Sequence, residues 1–328
     1  MNILIRLPNW LGDVVMSTAF VNAVRQLYPD AQIDVIIKKE LNGIVNLIPG
    51  LNKIHLFSKQ EYKGLNGVYK FGKTLRAGKY DLFFCLPDSL SSAVMGWATR
   101  AKKRIGFGKE GRFFLLTNSY KKPANLHRTD EYVSLLEQFT DRKITERLVK
   151  LEAREIEQHN NLVVINFNSE AISRRMPVDK GKQLLGTLTN TFKTAKFIVV
   201  GAPKEKEYVD ELLSNVGNDE QVKNYAGKTN LEGLCNLIAS AKAVITTDSG
   251  PAHLANALGT STIVLFGAGN EHNTAPYNKQ RLTVLRAGKL ECEPCVRNTC
   301  KLYGIPKCMQ LLDEMQIVNT LSLYLNHA

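Results

Sequence analysis

Long apolar runs are missing from this 328-residue chain. No stretch approaches the ~18–20 consecutive apolar residues that a membrane-crossing helix requires. The first apolar run, residues 3–7, contains Arg6 and stops at Pro8, too short for the core of a secretory signal. The expectation is a soluble, cytoplasmic chain with no transmembrane segment. Cysteine is sparse, six residues in all, which excludes a disulfide-built scaffold. Neither G-x-G-x-x-G nor G-x-x-x-x-G-K-[ST] occurs, so the fingerprints of dehydrogenases and P-loop enzymes are absent. Internal repeats and low-complexity segments are absent too. Acid is scarce relative to base: 43 Lys+Arg against 31 Asp+Glu give a formal charge of +12. That excess points to an anionic partner such as nucleic acid, a membrane surface or a phosphorylated substrate.

What is present has an ordinary globular balance, 44% hydrophobic and 23% charged, and a length that suits two domains of about 150 residues. Short aliphatic or β-branched runs at residues 3–7, 33–37, 53–57 and 81–85 read as strands. Helical patterns at 14–28 and 89–98 lie between and after them. The rhythm pauses over a polar, charged stretch between 131 and 161. It then restarts with strand signals at 162–167, 196–200, 243–246 and 262–266, separated by helical patterns at 178–191, 204–214, 231–240 and 252–258. Strand–helix alternation predicts an α/β fold with parallel sheets covered on both faces. The boundary is placed near 156, giving domains 1–156 and 157–328. Two Rossmann-like halves would face across a cleft, with ligands at the carboxyl ends of their strands.

Five segments carry candidate chemistry. In Pro8-Asn9-Trp10-Leu11-Gly12-Asp13, Asp13 follows the first strand, where it can act as a general base or simply cap a helix. In Thr247-Asp248-Ser249-Gly250-Pro251-Ala252-His253 a strand passes into a helix. Gly250 lets a phosphate approach the exposed amides, the helix dipole favours the anion, and His253 lies one turn in as a further donor. The bland alternative is a well-capped helix with an incidental histidine. In Gly201-Ala202-Pro203-Lys204-Glu205, Glu205 follows a strand, where an acid can hold ribose hydroxyls; a turn opening a surface helix reads the same way. Residues 100–128 hold nine basic side chains, among them Arg100, Lys102, Lys103, Arg104 and Arg128, and one acid, Glu110. This +8 stretch predicts an anion-binding surface, although charge runs are usually just solvated faces. Finally, Cys292, Cys295, Cys300 and Cys308 fall within 17 residues. Four thiolates so close can hold a structural zinc; four reduced cytosolic thiols are the alternative.

Together these segments resemble glycosyltransferase family nine, the lipopolysaccharide heptosyltransferases, particularly the heptosyltransferase II type. The resemblance runs from Trp10-Leu11-Gly12-Asp13 through Tyr80-Asp81 and Leu86-Pro87-Asp88-Ser89 to Asp248-Ser249-Gly250-Pro251-Ala252-His253 and the Cys308-Met309 tail. It implies a GT-B fold, with acceptor on the first domain and nucleotide-sugar donor on the second. It also implies inverting, metal-independent transfer with no cofactor. Asp13 matches the family's base, Glu205 the ribose acid, and Asp248, Ser249, Gly250 and His253 the diphosphate and sugar contacts. Arg174 stands where the family has a phosphate-binding lysine.

The segment holding Asn168 and Ser169, also assigned to the donor, departs from the family's P-G-A, and Arg174-Arg175-Met176-Pro177 departs from K-x-W-P. The expected activity is transfer of heptose from ADP-L-glycero-D-manno-heptose to heptosyl–Kdo–lipid A. The protein would sit peripheral to the inner membrane, and Arg100, Lys102, Lys103, Arg104 and Arg128 would bind the acceptor. The departures motivate an alternative in the same family with a different nucleotide-sugar donor. The cysteines and the charge motivate one from another class, a zinc-bearing nucleic-acid binder.

Overall fold

A computed structural model describes residues 1–153, 156–214 and 220–326. The chain divides into two compact units, Met1–Glu152 and Ala153–Ala328. In the first unit six strands, β1 (Asn2–Arg6), β2 (Gln32–Lys38), β3 (Ile54–Phe57), β4 (Leu82–Cys85), β5 (Lys103–Phe107) and β6 (Asn118–Tyr120), form one sheet in the order β3-β2-β1-β4-β5-β6. All pairings are parallel. The second unit contains β7 (His159–Asn166), β8 (Lys196–Val199), β9 (Val222–Asn224), β10 (Ala241–Thr247), β11 (Ser261–Phe266) and β12 (Leu282–Arg286), ordered β12-β11-β10-β7-β8-β9 and again wholly parallel. Counted within its own unit, each sheet has the 3-2-1-4-5-6 order of a doubly wound nucleotide-binding fold.

The central strands carry apolar middles because helices cover both faces. Ile3, Leu4 and Ile5 are fully buried, as are Val163, Val164 and Ile165 of the second sheet. Four strands escape the sequence reading. Three of them, β6, β9 and β12, are sheet edges with few or no fully buried residues. The fourth, β5, lies inside the basic stretch. The helix expected over 14–28 is two helices, Leu11–Met16 and Thr18–Leu27, with Ser17 between them donating its hydroxyl to Val14 O. A further helix, Arg128–Thr140, lies in the stretch read as polar. It turns Tyr132, Val133, Leu135 and Leu136 into the core, and its Glu131 is buried with them.

In both sheets the strand order reverses between the first and fourth strands. That is β1/β4 in one unit and β7/β10 in the other, and loops leaving the carboxyl ends there flank a crevice.

Candidate active site

Asp13 lies in the first turn of Leu11–Met16, directly after β1. Its side chain is 24% exposed. Burial pushes the carboxyl above its ordinary value; Arg128, a hydrogen bond from Tyr132 and Lys122 act in the opposite sense. Tyr132 Oη donates to Asp13 Oδ1 at 2.9 Å. The phenol is itself buried and held well above its ordinary value, so it stays protonated and serves as a donor. Arg128 Nε stands 3.5 Å from the same oxygen. No side chain caps this helix at Trp10, so the carboxylate is not spent on an N-cap.

Beyond Asp13 a chain of alternating charges runs along the carboxyl edge of the first sheet. Arg128 pairs with Glu131 at 2.7 Å and Glu131 with Lys122 at 2.6 Å. Lys122 also pairs with Asp88 at 2.6 Å, in the loop after β4. Asp88 is 3.5 Å from Arg112. Arg112 is fully buried. Its guanidinium donates to Phe107 O (2.9 Å), Ser89 O (3.2 Å), Ser92 Oγ (3.1 Å) and Pro87 O, fixing the loop at the switch point. A buried cation is tolerated where every donor finds an acceptor, and here it pins β5 to the β4 loop.

The basic stretch therefore splits. Arg128 reaches Asp13, but Arg100, Lys102, Lys103 and Arg104 do not. Arg100 ends the helix Leu90–Thr99 in a left-handed conformation. Lys102 pairs with Asp81 at 2.7 Å, Lys103 opens β5, and Arg104 donates to Leu115 O and Ala101 O. All four precede or open a parallel strand. They belong to the amino end of the sheet, about 15 Å of strand away from Asp13's edge. Of the five residues expected to bind the acceptor, these four thus stand at the opposite end of the sheet from Asp13, with Lys102 and Arg104 engaged by structural partners.

In the second unit the switch point is built mostly from neutral groups. Asn166, the last residue of β7, donates its amide to Asn168 O (3.2 Å), Thr246 Oγ1 (3.1 Å) and Ser249 Oγ (3.0 Å). Asn168 Nδ2 donates to Val200 O at 3.0 Å, while its buried Oδ1 has no hydrogen-bond partner. Ser169 is buried beside it and accepts at its carbonyl from Arg175, whose guanidinium stacks on Tyr208 at 5.1 Å.

Asp248 follows β10 and is buried. Burial pushes its carboxyl up to about 6, against the opposing pull of Arg174 and Arg286. Arg174 Nη1 is 3.1 Å from Asp248 Oδ2. Arg174 Nε is buried without a hydrogen-bond partner. A side chain on Gly269 would press to 2.0 Å from Asp248 Oδ2, so glycine there is what lets the carboxylate lie flat against the backbone. Arg286 holds that loop by donating to Gly267 O and Gly269 O while pairing with Glu271 and Glu293. Ser249 precedes the helix Gly250–Ala257, whose fourth residue is the buried His253. Glu205 lies in the turn after β8, its Oε2 accepting from Ala202 N at 2.8 Å.

The sequence reading thus located Asp13, Asp248, Ser249, His253 and Arg174 at the switch points. It missed Tyr132, Glu131 and Arg286, and held Lys122 and Arg112 only as members of the basic stretch. Among the described residues no three Cys, His, Asp or Glu side chains gather to hold a metal. Cys308 packs at the apolar core of the second unit, where burial, with smaller contributions from Glu293, Cys295 and Cys300, pushes its thiol up to about 11.

The profile of glycosyltransferase family 9 (heptosyltransferase) matches residues 68–305. Lipooligosaccharide heptosyltransferase 2 of Haemophilus ducreyi is 29% identical over 313 residues, covering 87% of this chain and 88% of its own. The protein of the same name from Campylobacter jejuni is 26% identical over 328 residues and covers 97% of both chains. Among solved structures, E. coli ADP-heptose LPS heptosyltransferase II superposes with a TM-score of 0.83 over 99% of this chain and 98% of its own, at 22% identity. That likeness is one of fold, the GT-B type with its two Rossmann-like halves.

Proposed function

The chain belongs to glycosyltransferase family 9, the heptosyltransferases, and from that premise we propose that it builds the lipopolysaccharide inner core. The donor would be ADP-L-glycero-D-manno-heptose and the acceptor a heptosyl–Kdo–lipid A. The single observation that carries the mechanism is Asp13: a carboxylate at the β1/β4 switch point, its proton affinity raised by burial, oriented by Tyr132. In this reading the acceptor hydroxyl oxygen attacks the anomeric carbon as Asp13 accepts its proton. The bond from that carbon to the diphosphate breaks on the opposite face, inverting the configuration and releasing ADP.

Leaving-group charge needs fixed donors placed where it develops. Arg174, the backbone amides at Ser249 and Gly250, and His253 take that part, so no divalent cation is required. The orphaned Arg174 Nε and Asn168 Oδ1 support a polar ligand here, because buried polar atoms are normally paired. Glu205 would take the ribose hydroxyls, and Asp248 the sugar. Arg128 is the one member of the basic stretch assigned to the acceptor's phosphates and carboxylates. No described helix is long and apolar enough to cross a membrane. The working place would be the cytoplasmic face of the inner membrane, where the acceptor is anchored, with no nucleic acid as partner.

The test is release of ADP from ADP-heptose in the presence of acceptor, with and without chelator. Acceptor-dependent release that a chelator leaves untouched is expected; strict magnesium dependence contradicts the mechanism. The altered segment Asn166-Phe167-Asn168-Ser169 favours one second reading, the same chemistry on another nucleotide-linked sugar. A thermal-shift panel separates the two readings, since a true donor stabilises the fold by mass action.

A further inference from the structure

Of thirteen phenylalanines, eleven are buried or partly buried. The two that face solvent are consecutive: Phe113 is 63% and Phe114 68% exposed. They stand edge to face with ring centroids 6.0 Å apart. Their turn, Arg112–Leu115, is not slack. Arg112 beneath it is fully buried and tied to Phe107 O, Ser89 O and Ser92 Oγ. Leu116 is buried on its far side and donates its N–H to Phe113 O at 3.2 Å. The two rings are therefore held out in water by a clamped support. Exposed apolar groups presented this way mark an interaction surface.

The surroundings indicate the partner. The turn begins at the carboxyl edge of the first sheet, the edge that carries Asp13 and exposed Trp10, where Arg112 donates to Phe107 O at 2.9 Å, and it runs back along the sheet to Leu115, whose carbonyl accepts from Arg104 Nε at 2.9 Å. Lys109 and Lys121 are both exposed beside it. Gly108 N donates to Tyr120 O at 2.9 Å, bringing the two lysine-bearing loops together. Exposed Lys59 and Lys63 follow β3 on the same edge. Paired aromatic rings flanked in the neighbouring loops by exposed Lys109 and Lys121, with Glu110 the one exposed acid between Lys109 and the turn, match a bilayer interface: rings settle at headgroup level while lysines meet anionic lipid.

We propose that Phe113 and Phe114, with Lys109 and Lys121, form a wedge that docks the first unit on an anionic lipid bilayer, carboxyl edge toward the surface. This extends the reading of a membrane-anchored acceptor. Its test uses neither donor nor acceptor, so failure of one reading is distinguishable from failure of the other.

The experiment is co-sedimentation of the full chain with phosphatidylglycerol–phosphatidylethanolamine vesicles and with phosphatidylcholine vesicles. The wild type is expected on the anionic vesicles, with binding that weakens as salt rises. F113S/F114S should lower that partition by roughly tenfold or more, the worth of withdrawing two rings from the interface. K109Q/K121Q should lower it roughly fivefold per lysine and flatten the salt dependence. Circular dichroism and turnover on a deacylated, water-soluble acceptor should be unchanged in F113S/F114S. Equal sedimentation of F113S/F114S and wild type would overturn the proposal, as would equal binding to phosphatidylcholine. So would a lipid-free dimer that F113S/F114S converts to monomer, which would assign the rings to a second copy of the chain.

Discussion

The two units share one sheet topology and differ in what stands at the point where strand order reverses. In the first, five acidic and basic side chains beyond Asp13 alternate from Arg128 to Arg112 along the carboxyl edge. In the second, amides and hydroxyls of Asn166, Asn168, Thr246 and Ser249 dominate, with Asp248 and Arg174 as the charged pair. The same scaffold therefore offers two chemistries, because function lives in loops grafted on a fold rather than in the fold. A charge ladder suits a site that must move a proton. A cradle of neutral donors and one arginine suits a site that must hold a charged ligand without fixing protons on it.

The comparison breaks most severely at Arg112. Replacing it with Met leaves several carbonyl oxygens without a donor, and urea unfolding should show a loss of about 3–5 kcal/mol. A loss below about 1 kcal/mol would mean the ladder's anchor is incidental. The second unit is probed by Asp248→Asn. Folding raises this carboxyl from 3.8 to about 6, so the folded state binds more protons between those values. The stability that the wild type draws from this group must then fall as pH rises from about 4 to about 6, and stay level above. Asn carries no such slope. The variant's stability relative to wild type should grow across that window, by on the order of 2–3 kcal/mol. Parallel unfolding curves at pH 4 and pH 7 would contradict the assignment.

The smallest effect sharpens the first site. Tyr132→Phe removes a hydrogen bond that favours the Asp13 carboxylate. The acid limb of the kcat/KM profile should move to higher pH, while the plateau rate changes by less than roughly tenfold. An unmoved acid limb would make Tyr132 a packing residue only.

Much of this was legible in the chain itself. The central strands announce themselves because both faces are covered and their middle positions are apolar. Asp13 and the Asp248–His253 segment are legible because a strand end, a turn and a helix start are contiguous. The unread parts have physical reasons. The edge strands β6 and β9 are three residues long and half open to water. β5 begins Lys103-Arg104, so it reads as charge. Tyr132 meets Asp13 from 119 residues away. Its helix showed only a Tyr132-Val133, Leu135-Leu136 spacing, a helical period that was the one available signal. Within the basic stretch, Arg112 and Arg128 look alike in sequence. Only tertiary packing makes one a buried clamp and the other Asp13's neighbour.

The division of labour between the two switch points is tested most directly by a crossed measurement. Transfer rate and ADP-sugar affinity are determined side by side for wild type, Asp13→Asn and Arg174→Gln. An amide cannot take the acceptor's proton, so Asp13→Asn should lose roughly 10²–10⁴-fold in turnover while donor affinity holds. Arg174→Gln should weaken donor binding roughly 10–100-fold, the worth of a hydrogen bond to a charged group. Near-normal turnover in Asp13→Asn, or a loss of donor affinity there equal to that in Arg174→Gln, would contradict it.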